Sequence, residues 1–278
     1  MSDEGAIARH YGSGDLRARI FAAMAASGLD PDKLKPADLG PVDEFHMGGR
    51  AATADIVKQL GLQRGDRVLD IGCGLGGLVR YLADEAGCRA TGLDLTPEFI
   101  EIAQAFSVLT GLEGMTDFVV GSALALPFPN GAFDAAVTFH AAMNIADRET
   151  MYREAARVIR PGGKLAIYDV FKGETEGMRF PVPWAETAAD SHLRKMGAVA
   201  ELLVAVGFAD VTVEDRTRLI LAHHRKRLAE GAQKSPPVLG VHLLQGENAK
   251  AKSRNMIAMA QAGQIALGLI VARRAAEG

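Results

Sequence analysis

Cysteine is scarce in this chain of 278 residues: only Cys73 and Cys88 occur. Two cysteines make neither a disulfide framework nor a metal-ligand cluster, so a reducing compartment is expected and no metal. Net charge is low as well. The 31 basic and 34 acidic residues leave −3, which implies no bulk attraction to nucleic acid or to an acidic membrane. Long apolar runs are missing. The longest, Gln264 to Ala272, is strand-sized, well short of the roughly 20 residues of a membrane span. The opening Met1-Ser-Asp-Glu has neither the basic nor the apolar region of a signal peptide. Repeats and low-complexity tracts are absent too. These absences together lead us to expect a cytoplasmic globular protein, monomer or homodimer, with no nucleic-acid or membrane partner. The length suffices for one large core with a small cap.

Glycine, by contrast, is concentrated in one place. Val68-Leu69 leads to Asp70, then Gly72, Gly74, Gly76 and Gly77, and then a helical pattern from Leu78. This reads as strand, tight turn and helix N-terminus, where a ligand can lie against bare backbone. A nucleoside-bearing cofactor is expected here.

The regular part of the chain runs from 66 to 170. Strands are expected at 67–71, 89–93, 116–120, 133–138 and 163–170. Helices are expected at 77–86, 97–110 and 148–158, with Pro161-Gly162-Gly163 as a turn. Strands alternating with crossover helices mean a doubly wound α/β sheet. Before it come a helix at 13–27, breaks at Pro31, Pro36 and Pro41, the segment Phe45-His46-Met47-Gly48-Gly49 and a helix at 51–61. After it come a helix at 193–206, a strand at 209–214, helices at 217–230 and 250–262 parted by Ser235-Pro236-Pro237, and a final strand from Gly263. That last strand is expected to close the sheet as an antiparallel hairpin with 209–214. Residues 1–48 read as an N-terminal helical lid on a domain of 49–278, with 171–192 and 215–262 as substrate-side insertions.

The spacing of Gly72, Gly74 and Gly77 also fits dinucleotide folds, and Asp94 at the end of the next strand suits a ribose diol. These two features point to a ribose-bearing ligand without choosing NAD or another nucleoside. Asp70 helps to choose. A carboxylate at the strand tip would repel a pyrophosphate but suits the cationic S-adenosylmethionine; its bland alternative is a helix cap.

At this point the residues resemble a family. Val68 to Gly77 is similar to the first motif of class I S-adenosylmethionine-dependent methyltransferases, and Asp94 resembles their ribose acid. Gly121 to Asp134 resembles their adenine-side loop, and Arg157 to Leu165 the motif before strand 5. The resemblance implies a Rossmann-like seven-stranded sheet, order 3-2-1-4-5-7-6. It also implies S-adenosylmethionine as cofactor and Asp70, Gly72, Cys73, Gly74, Asp94, Leu95, Ser122, Ala123, Leu124 and Phe139 as its contacts. Ser122 stands where many relatives have an aspartate. Within the family the chain looks like the small-molecule branch, near sarcosine/dimethylglycine N-methyltransferases and ubiquinone or tocopherol C-methyltransferases.

A small-molecule acceptor is therefore expected, methylated at N, C or O, with nitrogen slightly favoured. His140 is the candidate group for deprotonating or orienting it, or alternatively it only orders its loop. Asn144 either orients the acceptor or caps the helix at 148–158. Trp184, Phe180, Phe139 and Tyr168 are candidates for an aromatic lining. Tyr11 and Phe21 are weaker ligand candidates. Arg216, Arg218, Arg225, Lys226 and Arg227 read as a solvated basic face, the scattered methionines as core. The rival readings are an NAD(P)-dependent oxidoreductase and a catalytically silent cofactor-binding protein.

Overall fold

The computed structural model describes residues 15–231 and 238–276, the stretch 227–231 by its backbone alone. Tyr11, the Ser235-Pro236-Pro237 break and the side chain of Arg227 lie outside the described residues.

Apolar, β-branched runs with crossover helices build the centre. In chain order the parallel part comprises β1 (Arg67–Ile71), β2 (Arg89–Asp94), β3 (Thr116–Val120), β4 (Phe133–Phe139) and β5 (Ile159–Lys172). The crossing helices are α4 (Gly77–Asp84), α5 (Pro97–Leu109) and α6 (Arg148–Val158). Then follow α7 (Met196–Ala205), β6 (Phe208–Asp215), α8 (Thr217–Gly231), α9 (His242–Gln245), α10 (Ala249–Gln261) and β7 (Ile265–Arg274). The sheet order is β3-β2-β1-β4-β5-β7-β6, as expected. β7 runs antiparallel to both β5 and β6.

Alternation along β1 shows how the core divides. Val68 packs on one face with α3 (Gly49–Leu60), α4 and α10, while Leu69 and Ile71 pack on the other with α6 and α7. A third apolar cluster joins α1 (Leu16–Ala26) and α2 (Pro36–Asp43) to Phe99, Ile102 and Phe106 of α5 and to Leu244 of α9. Two remote parts of the chain thus meet above the strand ends. No helix among the described residues is long and apolar enough to cross a membrane.

Two expectations need correction. The prolines at 31, 36 and 41 do not leave a broken chain: Pro31 opens a short 3-10 turn, Pro36 is the first residue of α2 and Pro41 lies inside it. Proline is tolerated at a first helical position. Pro41 forfeits one helical hydrogen bond, but its neighbours Leu39 and Val42 are fully buried. Pro161-Gly162-Gly163 is not a turn before β5 but a bulge within it. Register with β4 passes from Phe133–Ile159 to Ala135–Lys164, and Gly162, with φ 77°, absorbs the extra residues.

Candidate active site

The loop after β1 sits at the carboxyl ends of β1, β2 and β4, where doubly wound sheets bind ligands. Its glycines are required by space and conformation. At Gly72, with φ 82°, a Cβ would fall 2.4 Å from Cβ of Ala141. At Gly76, with φ 78°, it would fall 2.6 Å from the ring of Phe118.

Four of the loop's amides are engaged within the protein. Gly72 and Cys73 both donate N–H to the carbonyl of Leu93, at 2.7 and 3.0 Å. Gly74 donates to Oδ2 of Asp94 at 2.9 Å, and Gly76 to the carbonyl of Cys73 at 2.9 Å. Asp94 also accepts the N–H of Thr96 at 2.9 Å, so this one carboxylate ties two loops together.

Asp70, Gly72, Cys73, Gly74, Asp94, Leu95, Ala123, Leu124, Phe139 and His140 all line one cavity. Ser122 is not among the lining residues; its hydroxyl oxygen accepts the N–H of Leu124 at 3.0 Å and shapes that turn. The cavity is also lined by Asp43, Phe45, His46, Thr96, Asn144, Asp147 and Leu244.

Burial sets the charge states. Asp70 is 2% exposed and its Oδ1 has no partner. Burial holds its pKa well above the usual carboxylate range, and the charges of Asp94 and Glu44 push the same way. Burial also raises Asp94, against which the bonds from Thr96 and Gly74 act. The Cys73 thiol is pushed well up by burial and then by Asp94 and Asp70, which makes it a small wall residue and a poor nucleophile. Asp43 is met from behind by Arg80, at 2.6 Å. The fully buried Arg80 also donates to the carbonyls of Leu75 and Ala103 and lies over the ring of Phe106.

Beyond β4 lies an aromatic floor. The rings of His46, Phe139, His140 and Tyr168 meet edge-on or tilted, with centroids 5.3 to 6.2 Å apart. Tyr168 donates its hydroxyl to the carbonyl of Met47 at 2.8 Å. His140 holds φ 51°, its N–H donates to the Tyr168 carbonyl at 2.8 Å, and its Nε2 has no partner. Burial pulls His140 down to about 3, with His46 pushing the same way. Burial pulls His46 down to about 4. Nε2 of His46 lies 3.1 Å from Oγ1 of Thr53, whose hydroxyl donates to Glu44 at 2.7 Å. Both imidazoles are neutral at neutral pH.

Several expected roles change. Trp184, Phe180 and Tyr168 are not in the lining: Trp184 is 1% exposed in the core and donates its indole N–H to Ser191 at 3.0 Å, Phe180 packs on the same core, and Tyr168 is fully buried behind Phe139 and His140. Asn144 does not cap α6. Asp147 does, accepting the N–H of Thr150 at 3.0 Å, while Asn144 donates to the Trp184 carbonyl at 2.7 Å. Arg216 is not on a solvated face; it is 4% exposed and pairs with Asp55 and Glu214, each at 2.8 Å. Phe21 packs against Phe106. Asp43 and Leu244 went unread because neither stands in a motif and each reaches the cavity only through tertiary packing.

Residues 69–167 match the family described as Methyltransferase domain. Among curated proteins the chain is 31% identical over 156 residues to Methyltransferase GfsG of Streptomyces halstedii, covering 56% of this chain and 54% of that one. It is 30% identical over 182 residues to phosphoethanolamine N-methyltransferase 1 of Zea mays, covering 65% of this chain and 36% of that one. The aligned part thus spans about a third to a half of these relatives' length. Geranyl diphosphate C-methyltransferase from Streptomyces coelicolor A3(2) superposes with a TM-score of 0.70 at 20% identity, covering 99% of this chain and 98% of that one. The Rossmann-like fold expected from the motifs is thereby shared, and residues 69–167 match a methyltransferase domain.

Proposed function

We propose that this chain is a class I methyltransferase that transfers a methyl group from S-adenosylmethionine to a small-molecule acceptor, in the cytoplasm and without nucleic acid. The observation that carries the choice of cofactor is the state of the glycine loop. Its amides at Gly72, Cys73, Gly74 and Gly76 are engaged by Leu93, Asp94 and Cys73, so they do not cradle a pyrophosphate, and beside them stands the unpartnered carboxylate of Asp70. That combination disfavours NAD and fits a ligand bearing positive charge and a ribose. When bound, S-adenosylmethionine supplies an electrophilic methyl carbon on a sulfonium.

The residues divide the work. Asp70 offers its free oxygen to the cationic end, and ionises as that charge arrives. Asp94, held rigid by two backbone N–H groups, takes the ribose hydroxyls. Leu95, Ala123 and Leu124 enclose the base, with Ser122 shaping their turn. Phe139 and the aromatic floor exclude water from the methyl and hold the acceptor in line, the positioning that makes the reaction effectively unimolecular. Neutral His140 presents Nε2 to the acceptor's reactive N–H or O–H and takes up its proton as the bond forms. Helices α1 and α2 with α9 form the lid over the cofactor end.

Incubation with methyl-labelled S-adenosylmethionine and a panel of amines, phenols, quinones and prenyl alcohols tests the reading. Label should appear in at least one acceptor, with S-adenosylhomocysteine formed in equal amount. Cofactor binding with no transfer to any acceptor would favour the silent rival.

A further inference from the structure

The cavity is lined by carboxyl groups and, among the described residues, by no cationic side chain. The carboxyl groups are those of Asp43, Asp70, Asp94 and Asp147. Asp43 is answered by Arg80 from outside the lining, and Asp147 feels the charges of Arg153 and Arg194. The two imidazoles, His46 and His140, are both neutral for want of water around them.

Proteins hold a phosphate with Arg or Lys, with the free N–H groups of a helix N-terminus, or through a divalent cation on carboxylates, and among the described residues no group of three or more His, Cys, Asp or Glu could hold a metal ion. Of the helix starts beside the cavity, α6 is capped by a carboxylate and α5 is preceded by one, while α4, from Gly77, has no side-chain cap. Asp94 accepts the Thr96 N–H at the start of α5, and Asp147 the Thr150 N–H at the start of α6. The glycine-loop amides of Gly72, Cys73, Gly74 and Gly76 are engaged as well. A phosphorylated acceptor would therefore enter a lining with no lysine or arginine, with at most the start of α4 to answer it, and would lie among buried carboxyl groups.

What the acceptor side does offer is apolar surface from Phe45, Phe139, Ile145 and Leu244, and one buried polar atom without a partner, Nε2 of His140. Of the buried unpartnered side-chain atoms, only this one and Oδ1 of Asp70 belong to described residues of the lining.

We infer that the methyl acceptor is an uncharged, largely apolar molecule without phosphate, whose single reactive O–H or N–H is hydrogen-bonded to Nε2 of His140. This rests on the methyltransferase reading and narrows it, away from the phosphate-bearing acceptors in the names of two of the relatives above. In the transfer the acceptor's lone pair forms the bond to the methyl carbon, and the sulfur–methyl bond breaks with its electrons going to sulfur. The sulfonium becomes a neutral thioether, and the acceptor's proton passes to Nε2 and then to water.

The test uses the full chain saturated with S-adenosylhomocysteine and two matched pairs: geraniol with geranyl diphosphate, and phenol with phenyl phosphate. Binding is measured by ligand-detected NMR titration. The uncharged member of each pair should bind roughly tenfold or more tightly than its phosphorylated partner, about one decade in Kd. Equal or tighter binding of a phosphorylated member would overturn the inference, and so would binding of neither member. Failure of the methyltransferase reading is distinguishable, because S-adenosylhomocysteine would then not bind in the first titration.

Discussion

Asp70 shows at the residue scale how the site departs from what folding alone would select. Its carboxylate is buried with one oxygen unpartnered, an arrangement that costs stability and is tolerated where a ligand completes it. Asp70→Asn should therefore raise the Tm of the unliganded protein at neutral pH while weakening S-adenosylmethionine binding, as calorimetry and thermal melts on the same samples would show. A group whose folded pKa is raised destabilises the fold above that pKa, so the gain should shrink as the pH is lowered. His140 makes the opposite kind of statement. Its pKa of about 3 lies below the ordinary 6.5, so its neutral form persists from pH 8 down through pH 5. His140→Asn, a residue that accepts the positive φ found here, should lower turnover about tenfold or more and leave S-adenosylhomocysteine affinity unchanged. The pH profile of the residual activity should keep its shape between 5.5 and 8. An inflection near 6.5 that the substitution abolishes would contradict a neutral His140.

At the scale of elements, buried polar clusters fix the pieces that face the cavity. The Arg80–Asp43 pair ties α4 to the end of α2, with Arg80 also holding the glycine loop through the Leu75 carbonyl. Arg80→Met would leave Asp43 buried without its partner, and a loss of about 3–5 kcal/mol is expected in denaturant unfolding. Behind the 3-10 turn at 142–144, Arg148 donates to the carbonyls of Ile145 and His192 and to the hydroxyl of Tyr152. Asp169 stands nearby, 1% exposed and raised by burial to about 6, against the lowering effect of Arg148. Being raised, it favours the folded state below pH 4, and that contribution is lost as pH rises to 6. Relative to Asp169→Asn, the natural chain should lose about 3 kcal/mol of stability between pH 4 and pH 7, taking about 1.4 kcal/mol per pKa unit. Parallel pH series of urea melts would measure that difference. The crossover elements were legible because their apolar period and their glycine and proline stops are local. Helix α2 was not legible, since Gly40 and Pro41 argue locally against a helix that its buried Leu39, Val42 and Asp43 sustain through tertiary contacts. The β5 bulge was hidden for a similar reason: a Pro-Gly-Gly run reads as a turn until the partner strand is known.

For the whole molecule, the motifs revealed the seat of the cofactor better than the walls of the acceptor site. Residues 66–140 deliver almost every lining side chain that the sequence named, because strand tips and the loops after them are set by the sheet itself. Leu244 arrives from a segment more than a hundred residues beyond β4, and Trp184 retreats into the core, neither of which any local pattern signals. The chain thus joins a shared sheet to its own cap, and the account depends on what that joint cavity binds. Calorimetric titration with S-adenosylhomocysteine and with NAD, on the natural chain and on Asp94→Ala, tests this most directly. S-adenosylhomocysteine should bind and NAD should not. Asp94→Ala should weaken S-adenosylhomocysteine binding roughly 10- to 100-fold, the worth of hydrogen bonds to a charged group. Binding of NAD in place of S-adenosylhomocysteine, or an affinity unchanged in the variant, would contradict the proposed cofactor site.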